Sequence, residues 1–431
     1  MPPKPAQMPQ DDNISRQAAV ADYVRKYTSD FVVSNPSSGN VLSQHCVLVT
    51  GATGSLGSHL VQYLAEQETV STVICLNRYT RGSLAGVRQR QSLTSRSIEL
   101  DDKALSKLRV FETETSQPNL GLPREQYEDM VNTVTHIVHN AWPMSGKRPV
   151  SGFEAQFRVM RNLIHLARDV ACRSALRPKL GFQFISSIAT TGHYPVRTGD
   201  INVPEQRMSI DDVLPNGYGD AKFVCENMLD ETLHKHSDCF RTMSVRLGQV
   251  AGSSTSGYWN SLEHLSFLIK SSQTLKCLPN FEGTVSWTPV NDVAATLGEL
   301  LISSATPYPI YHIDNPVGQP WKQMILTLAN CLNVPMQTGI VPFEEWVRRV
   351  RNFSGSVEKD NPAFKLIDFL DTNFLRMSCG GLLLETKHSR EHSKTLRELG
   401  PVSEDVVRGY VRYWQRIGFL ARSVMEGQTG S

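Results

Sequence analysis

A tyrosine and a lysine lie four residues apart in the stretch NGYGDAKFVCENML, directly after an Asn-Gly turn signal. On an α-helix, residues four apart share one face, so Tyr218 and Lys222 would be neighbours. Continuing along this face leads to Cys225 and Leu229, which predicts that the lysine points toward the packed side of the helix. A buried lysine needs a partner, and a cation beside a tyrosine favours proton release from the phenol. The pair could therefore perform acid-base chemistry, although the YxxxK spacing alone recurs by chance in many proteins.

Two adjacent serines could complete a catalytic set. The stretch FISSIATTG places them at the end of an apolar segment, well upstream of the tyrosine. Ser187, five residues before Gly192, matches the position of the serine in the Ser-Tyr-Lys set of short-chain dehydrogenases, and Ser186 is the rival. We predict that Tyr218 protonates a carbonyl oxygen and that Ser187 donates a second hydrogen bond to it. We expect Lys222 to lower the pKa of the tyrosine and to bind the nicotinamide ribose.

A glycine-rich loop joins the first predicted strand to the helix that follows it. In VLVTGATGSLGSHL, three glycines come directly after a buried strand. Glycines at this spacing allow a tight turn, the approach of backbone amides to a pyrophosphate, and close packing of the helix on the sheet, with the phosphate at the helix N-terminus. The sequence therefore predicts a dinucleotide site, whose loop residues are Thr50, Gly51, Thr53, Gly54, Ser55, Leu56 and Gly57.

The end of the second predicted strand indicates which dinucleotide is bound. NAD sites usually carry an acid about 20 residues after the glycine loop, whereas NADP sites replace it with a cation for the 2′-phosphate. Here the strand ends in CLNR, so Asn77 and Arg78 stand where the acid would be. The interpretation is NADPH, bound by Arg78. Arg88 and Arg90 lie nearby; Arg88 is predicted as a further cofactor contact, and a solvated helix face is expected for at least one of the two.

Three further residues are predicted to border the cofactor. Asn140 and Ala141 end the fourth strand in IVHNAW, and Leu247 ends the sixth in VRLGQVAG. Both segments fit equally well as strand ends without a ligand role. His139 and the other histidines lack the spacing of a metal site, so no metal is predicted. The tryptophans, Trp142 among them, are expected in the core or lining a cleft.

Composition limits the class of protein. The 431-residue chain is 40% hydrophobic and 20% charged with a net charge of +2, which is typical of a soluble globular protein and gives no reason to expect nucleic acid. Eight cysteines include no CxxC pair, so neither structural zinc nor a disulfide framework is expected, and a reducing cytoplasmic location fits. No apolar run approaches the ~20 residues that span a bilayer, so a membrane is not a predicted partner.

Short apolar runs alternate with helical patterns in the first half of the chain. This alternation predicts an α/β fold with a Rossmann-type doubly wound parallel sheet, followed by a smaller, mostly helical C-terminal substrate domain. The predicted divisions are a linker with an N-terminal helix (1–40), an NADP-binding domain (41–252, with return segments near 284–315), and a domain that binds substrate and carrier (253–283 and 316–431). Because the N-terminus is proline-rich and polar, we expect a chain cut from a longer polypeptide.

The motifs taken together resemble those of a known family. VLVTGATGSLGSHL, IVHNAWP, FISSIA, NGYGDAKFVCE, RLGQVAG, SWTPVNDVA and VSEDVVRGYVRYWQRIGFL are similar to the terminal thioester reductase domain of fungal non-reducing polyketide synthases and related nonribosomal peptide synthetase-like enzymes. These domains are extended short-chain dehydrogenases, and the likeness covers nearly all the chain from about Val41 onward. It implies NADPH-dependent reduction of an acyl thioester, held on the phosphopantetheine arm of an acyl carrier protein, to an aldehyde. Some members reduce the aldehyde again to an alcohol.

The resemblance also assigns residues and leaves alternatives open. The family's catalytic set maps onto Ser187, Tyr218 and Lys222, and its 2′-phosphate arginine maps onto Arg78. Relatives that cyclise without reduction lack the tyrosine, so its presence favours reduction. The alternatives are another extended short-chain dehydrogenase, such as a ketone reductase or nucleotide-sugar enzyme, and a non-catalytic NADPH-binding protein. The acyl group, two- versus four-electron reduction, and the type of parent synthase stay open.

Overall fold

The computed structural model describes residues 10–34, 44–145, 147–173 and 179–422, which form two compact units. The first unit comprises the chain up to Gly248 together with Asp292–Ile313 and Leu384–Glu398. The second comprises Gln249–Asn291, Asp314–Leu383 and the chain from Leu399 onward. The proline-rich tail and residues 35–40 of the predicted linker lie outside the described residues.

The elements are given in chain order. The strands are β1 (His45–Thr50), β2 (Val70–Arg78), β3 (Leu108–Thr113), β4 (His136–His139), β5 (Leu180–Ser187), β6 (Asn202–Val203), β7 (Phe240–Leu247), β8 (Val250–Ala251), β9 (Leu278–Asn280), β10 (Thr284–Val285), β11 (Thr288–Pro289), β12 (Ile310–Ile313), β13 (Gln319–Pro320), β14 (Ile340–Pro342) and β15 (Leu383–Leu384). The α-helices are α1 (Gln10–Thr28), α2 (Ser55–Glu66), α3 (Ala85–Thr94), α4 (Asp102–Ser106), α5 (Arg124–Thr133), α6 (Glu154–Cys172), α7 (Tyr194–Thr198), α8 (Gly217–Glu231), α9 (His264–Leu275), α10 (Val290–Ile302), α11 (Trp321–Leu332), α12 (Phe343–Arg351), α13 (Val357–Asp360), α14 (Ile367–Thr372), α15 (Phe374–Ser378), α16 (Lys387–His392), α17 (Lys394–Glu398) and α18 (Glu404–Arg416).

Seven strands of the first unit form one parallel sheet in the order β12-β7-β5-β4-β1-β2-β3. From the central β1 the chain runs outward to β3 on one side, and from β4 outward to β12 on the other. Val47, Leu48 and Val49 of β1 are fully buried, as expected when helices cover both faces of a parallel sheet. The predicted Rossmann-type doubly wound sheet is confirmed.

Helix α8 carries the tyrosine and the lysine, and local contacts fix where it begins. Asn216, which the sequence suggested as part of a turn, caps the helix instead: its side chain accepts a hydrogen bond from the amide of Gly219 at 2.8 Å. Gly217 is needed because a Cβ at this position would overlap the backbone oxygen of Arg148. The Asn-Gly pair thus starts the helix beneath the segment that follows β4.

Helix α1 braces this part of α8. The Arg16 guanidinium pairs with the carboxylate of Asp220, which lies between the tyrosine and the lysine in sequence. The same guanidinium donates to the backbone oxygens of Ile210 at 3.2 Å, Val213 at 3.2 Å and Leu214 at 3.4 Å. One side chain of α1 therefore holds both the first turn of α8 and the loop that leads into it.

The second unit is mostly helical and has its own aromatic core. Trp259 packs against Trp287, Tyr410 and Trp414, with ring centroids 4.8 to 5.3 Å apart. Ser403 caps α18, and its hydroxyl oxygen accepts from the amide of Val406, the third residue of the helix, at 3.4 Å. The buried face of α18 is the apolar face that the sequence indicates.

One helical segment of this unit is divided. NPAFKLIDFLDTNFL forms a 3-10 turn (Pro362–Leu366), α14 and α15. Asn373 separates the last two, because its φ of −128° departs from helical geometry. No helix in the described ranges is long and apolar enough to cross a bilayer.

Candidate active site

Four strands of the parallel sheet end at one edge, and each ends beside or at a residue predicted for the site. β1 ends at Thr50, β4 at His139, β5 at Ser187 and β7 at Leu247. Thr50 pairs with His139, and Ser187 pairs with Leu247; His139 pairs with Phe184, so β5 extends three residues beyond the end of β4. The strand order reverses between β1 and β4, and sheets of this kind bind ligands in the crevice at such a point. The fold thus brings the glycine loop and Ser187 to one edge of the first unit.

Close packing explains the three glycines of the loop after β1. Gly51 has a φ of 71°, and a Cβ there would lie 2.9 Å from the backbone of Ala141. A Cβ on Gly57 would overlap the carbonyl oxygen of Gly51, and one on Gly54 would lie 3.2 Å from the same oxygen. Side chains at these positions would therefore force the loop away from the sheet edge.

The N-terminus of α2 directly follows this loop and fits a diphosphate. Gly54 is the N-cap residue, and it offers no side chain to accept hydrogen bonds from the first-turn amides. Such amides, here those of Ser55 and Leu56, lack acceptors within the helix. An anion at a helix N-terminus is stabilised by these amides and by the helix dipole. The stretch from Thr53 to Gly57 therefore fits the diphosphate of a dinucleotide, with the first-turn amides as its donors.

A threonine ties the loop to the end of β4. The hydroxyl oxygen of Thr50 accepts from the amides of Asn140 at 3.1 Å and Ala141 at 3.0 Å, and lies 3.0 Å from Nδ1 of His139. The side-chain amide of Asn140 also donates to the carbonyl oxygen of Gly51 at 3.3 Å. These two predicted cofactor neighbours are thus part of the frame that holds the glycine loop in place.

The two predicted phosphate arginines have different surroundings. Arg78 ends β2 with an exposed side chain. The guanidinium of Arg88 bonds the backbone oxygens of Arg78 and Ser83 and lies 3.4 Å from a carboxylate oxygen of Glu112. Arg90 is exposed on α3. The donors of Arg88 are therefore engaged by protein groups, and this side chain braces the loop that follows Arg78.

The rival serines point to different partners. The buried Ser186 hydroxyl donates to Oε1 of Glu226 at 2.5 Å. The hydroxyl of Ser187, which is half-buried, accepts from the amide of Ala189 at 3.2 Å, and its interaction with the Tyr218 hydroxyl lowers the pKa of the tyrosine. Of the two serines, Ser187 is thus the one next to the tyrosine.

The environment of Tyr218 keeps its proton on the phenol. Burial raises the pKa of Tyr218, and the interaction with the Ser187 hydroxyl opposes this only in part. The sequence predicted the opposite direction, with Lys222 as the cause; that prediction neglected the cost of burying a phenolate. A tyrosine that stays protonated at neutral pH is suited to donate its proton to a developing oxyanion.

Lys222 is 3% exposed, on the packed side of α8 as its helical position predicts. Its Nζ donates to the carbonyl oxygen of Ile185 at 2.6 Å and lies 4.0 Å from the ring centroid of Trp142 and 4.8 Å from that of Phe184. Burial lowers the pKa of Lys222 to about 7. The electrostatic effects of Cys225 and Glu226 on the same helix oppose this only in part. The ammonium can therefore lose or keep its proton near neutral pH.

Two features of this site were not predicted from the sequence. The rings of Trp142 and Phe184 lie beside the lysine. Glu226, one helical turn further along α8, forms a buried ion pair with Arg246 of β7. The available signals were weak: Trp142 directly follows a predicted strand end, and Glu226 comes four residues after Lys222. Neither spacing identifies the partner, because the partners are far apart in sequence.

The chain is similar in sequence and in fold to known proteins. The sequence model of the male sterility protein family, a family of NAD-binding domains, matches residues 49–297. The non-reducing polyketide synthase pigA of Monascus ruber is 61% identical over 423 residues, which are 97% of this chain and 16% of that protein. The chain therefore corresponds to a small part of that relative's length.

Two solved structures share the fold over most of the chain. The terminal R domain from the myxalamid PKS-NRPS pathway has a TM-score of 0.73 at 19% identity and covers 96% of this chain and 100% of that one. A thiolation-reductase di-domain from an archaeal nonribosomal peptide synthetase has a TM-score of 0.68 at 16% identity, covering 95% of this chain and 83% of that one. At these identities the likeness concerns the fold alone.

Proposed function

The chain belongs to the male sterility protein family of NAD-binding domains, and from this premise we propose that it is an NADPH-dependent reductase that releases a carrier-bound acyl thioester as an aldehyde. The observation that carries the proposal is that Ser187 interacts with Tyr218, one helical turn from the buried Lys222, at the sheet edge where the glycine loop lies. Similarity to a segment of a non-reducing polyketide synthase suggests the substrate class.

The cofactor is proposed to bind along this edge with its diphosphate at the N-terminus of α2. When bound, it supplies the hydride. The exposed Arg78 is proposed to bind the 2′-phosphate, since arginine offers charge-assisted hydrogen bonds to phosphate oxygens. Asn77, where an NAD site would carry an acid, is buried, and its amide donates to Oε1 of Gln89 at 3.0 Å. A neutral side chain at this position favours NADPH over NADH.

The residues of the chain are proposed to act on the thioester carbonyl. Tyr218 and Ser187 donate hydrogen bonds to the carbonyl oxygen, which polarises the bond and stabilises negative charge as hydride reaches the carbon. Tyr218 then transfers its proton to the oxygen, giving a hemithioacetal. Cleavage of the C–S bond releases the aldehyde and the free thiol of the carrier arm. Lys222 binds the ribose and favours return of a proton to the tyrosine site.

The acyl donor is proposed to be a carrier protein in the same polypeptide. The chain matches 16% of the polyketide synthase relative, which leaves room for other domains in a parent protein. The archaeal neighbour is a thiolation-reductase di-domain, so in that protein a carrier and a reductase are joined. By this proposal the substrate is delivered on a phosphopantetheine arm instead of diffusing in as a free acid.

The experiment that tests the function follows NADPH oxidation with a carrier-bound acyl thioester and identifies the products by mass spectrometry. Wild type is expected to form an aldehyde, and the aldehyde-to-alcohol ratio gives the electron count. Tyr218→Phe removes the proton donor and should lower turnover by about 10²- to 10⁴-fold without loss of NADPH binding. Tyr23→Phe, on α1, is the matched control, because the Tyr23 ring packs on Phe157 and the residue is not a member of the predicted catalytic set.

The matched serine pair sharpens this test. Ser187→Ala should lower turnover, whereas Ser186→Ala removes a hydrogen bond to Glu226 and should mainly affect stability. If the wild type binds NADPH but reduces no carrier-bound thioester, the releasing role is wrong and the non-catalytic alternative stands. If a free ketone or a nucleotide sugar is turned over instead, the chain is another kind of extended dehydrogenase.

A further inference from the structure

Trp142 lies in the loop after β4, and its ring is fixed by packing. It stacks on Phe153 with ring centroids 6.0 Å apart and meets the edge of Phe184 at the same distance. The two amides that precede it in the chain are bonded to Thr50. The indole is therefore held in one orientation by groups other than the lysine that it faces.

The lysine lies over this ring with few other partners. Nζ of Lys222 is 4.0 Å from the Trp142 centroid and, within the part of the chain that the structure describes, makes one hydrogen bond, to the carbonyl oxygen of Ile185 at 2.6 Å. A cation within about 6 Å of an aromatic face is attracted by the ring quadrupole, most strongly by tryptophan. Since Lys222 is 3% exposed, water screens this attraction little.

The other ionisable groups around the ammonium offer it no dedicated negative charge. Burial raises the pKa values of Tyr218 and Cys225, so both stay protonated at neutral pH. Burial lowers the pKa of His139 to about 3, so this residue on β4 is neutral. Glu226 lies on the next turn of α8, but both of its oxygens already bind the guanidinium of Arg246. Among the described residues, no carboxylate forms an ion pair with Lys222.

We propose that Trp142 is a positioning residue for Lys222, whose indole face holds the ammonium where a carboxylate would otherwise be required. The inference rests on the proposed role of Lys222 at the cofactor. A carboxylate would engage the ammonium donors, whereas an aromatic face attracts the charge and leaves N–H groups free to bind the ribose hydroxyls. The ring also opposes the effect of burial, which lowers the pKa of the lysine to about 7.

The test is the pH dependence of NADPH binding, followed by cofactor fluorescence. A charged Lys222 favours the anionic cofactor, so affinity should fall as pH rises through the pKa of the lysine. Losing the ring disfavours the charged form and moves this fall to lower pH. For Trp142→Leu we expect a midpoint about one pH unit below that of wild type, which is roughly a tenfold loss of proton affinity. Trp142→Phe keeps a weaker aromatic face and should fall between the two.

Two further variants identify the titrating group and separate packing from charge. Lys222→Met should lack the midpoint altogether. Phe153→Leu loosens the packing under Trp142 without removing a ring from the lysine, and it should keep the wild-type midpoint. Turnover of Trp142→Leu, measured in parallel, should recover toward lower pH, which a purely structural defect would not produce.

Several outcomes would overturn the inference. An unchanged midpoint in Trp142→Leu would mean that the indole only fills space, and a midpoint retained in Lys222→Met would mean that another group titrates. Failure to reduce any thioester would instead count against the proposed function, because binding of NADPH is measured independently of turnover.

Discussion

Lys222 and Arg246 are two buried cations of the first unit, and their surroundings differ. Arg246 is 0% exposed, and its guanidinium donates to the carboxylate oxygens of Glu226 at 3.0 and 2.7 Å and to the backbone oxygen of Gln206 at 2.9 Å. Lys222 is 3% exposed, but among the described residues it makes one conventional hydrogen bond, to Ile185, and it faces aromatic rings.

The difference teaches how this unit separates a structural cation from a reactive one. An arginine with a bidentate carboxylate is permanently charged and has most of its donors satisfied. Glu226 also accepts from Ser186 and from Thr190 at 3.2 Å, so the pair ties the end of β5 and the turn after it to α8. Lys222, in contrast, has donors to spare and a proton that it can release near neutral pH. The Arg246–Glu226 pair stabilises the fold, whereas Lys222 keeps donors available for ligand binding and proton transfer.

Removing the reactive cation should have the largest effect on activity and should not unfold the protein. In Lys222→Met the ribose loses a charged partner and the proton of the tyrosine is no longer replenished. We expect single-turnover reduction of the carrier-bound thioester to fall by about 10²- to 10⁴-fold. Stopped-flow NADPH oxidation measures this, with circular dichroism to check the fold.

The same variant should gain stability, and the gain should depend on pH. The pKa of Lys222 is lowered from 10.5 to about 7 in the folded state, so the unfolded chain binds more protons between these values. Wild-type stability therefore rises with pH through this window, and the variant lacks that rise. Urea unfolding should find Lys222→Met more stable at neutral pH, with a gap that narrows by a few kcal/mol toward pH ~10. If the free energies of unfolding of the two proteins change in parallel with pH, burial does not lower the pKa of Lys222.

The sequence was sufficient where the signal is local. Val47 to Thr50 followed by glycines predicts a strand and a tight turn into a helix, and the spacing of Tyr218 and Lys222 predicts that both share one face of a helix. Parallel strands then bring the carboxyl ends together, which places Ser187 at the same sheet edge as the loop. Periodicity and turn chemistry are properties of short segments, so they can be interpreted without the fold.

The sequence was insufficient where a residue depends on distant partners. Trp142 and Lys222 are 80 positions apart and Glu226 and Arg246 are 20 apart, so no periodicity links them. The pKa of Tyr218 was predicted in the wrong direction because the degree of burial is a tertiary property. Arg88 has the charge and the sequence position expected of a phosphate contact. Only the structure shows that its guanidinium donates to the backbone oxygens of neighbouring residues.

Removing the structural cation, Arg246, should lower stability and leave cofactor binding unchanged, which is the reverse of what we expect for Lys222. Arg246→Met leaves the Glu226 carboxylate buried without its guanidinium, and breaking a buried pair in this way costs about 3–5 kcal/mol. Urea unfolding measures the loss, and the fraction that stays folded should bind NADPH as wild type does. The matched control is Arg161→Met, because Arg161 pairs with Asp30 on the surface and should cost about 0–1 kcal/mol.

A double variant decides whether the charge or the packing matters at this pair. Arg246→Met combined with Glu226→Leu removes both charges, and apolar replacements of a buried pair are often neutral. We expect the double variant to be more stable than Arg246→Met alone. If the single and double variants are equally unstable, the lost hydrogen bonds to Gln206 and Ser186 outweigh the unpaired charge.

The two arginines near the end of β2 extend the comparison to the cofactor, with the smallest expected effect. The donors of Arg88 are engaged by the backbone and by Glu112, whereas the side chain of Arg78 is exposed. If the distinction between Lys222 and Arg246 applies here, Arg78, whose donors are not engaged as those of Arg88 are, is the side chain that binds the ligand.

Arg78→Ala should therefore raise the Kd for NADPH by about 10- to 100-fold, the effect of losing hydrogen bonds to a charged group, and leave the Kd for NADH nearly unchanged. Arg88→Ala should weaken both cofactors alike and by less, because it only loosens the loop; titration of both variants with both cofactors tests this. Selective loss of NADPH in Arg88→Ala would show that a side chain engaged by the protein can exchange those partners for the phosphate, and the distinction between the two buried cations would then not extend to the surface.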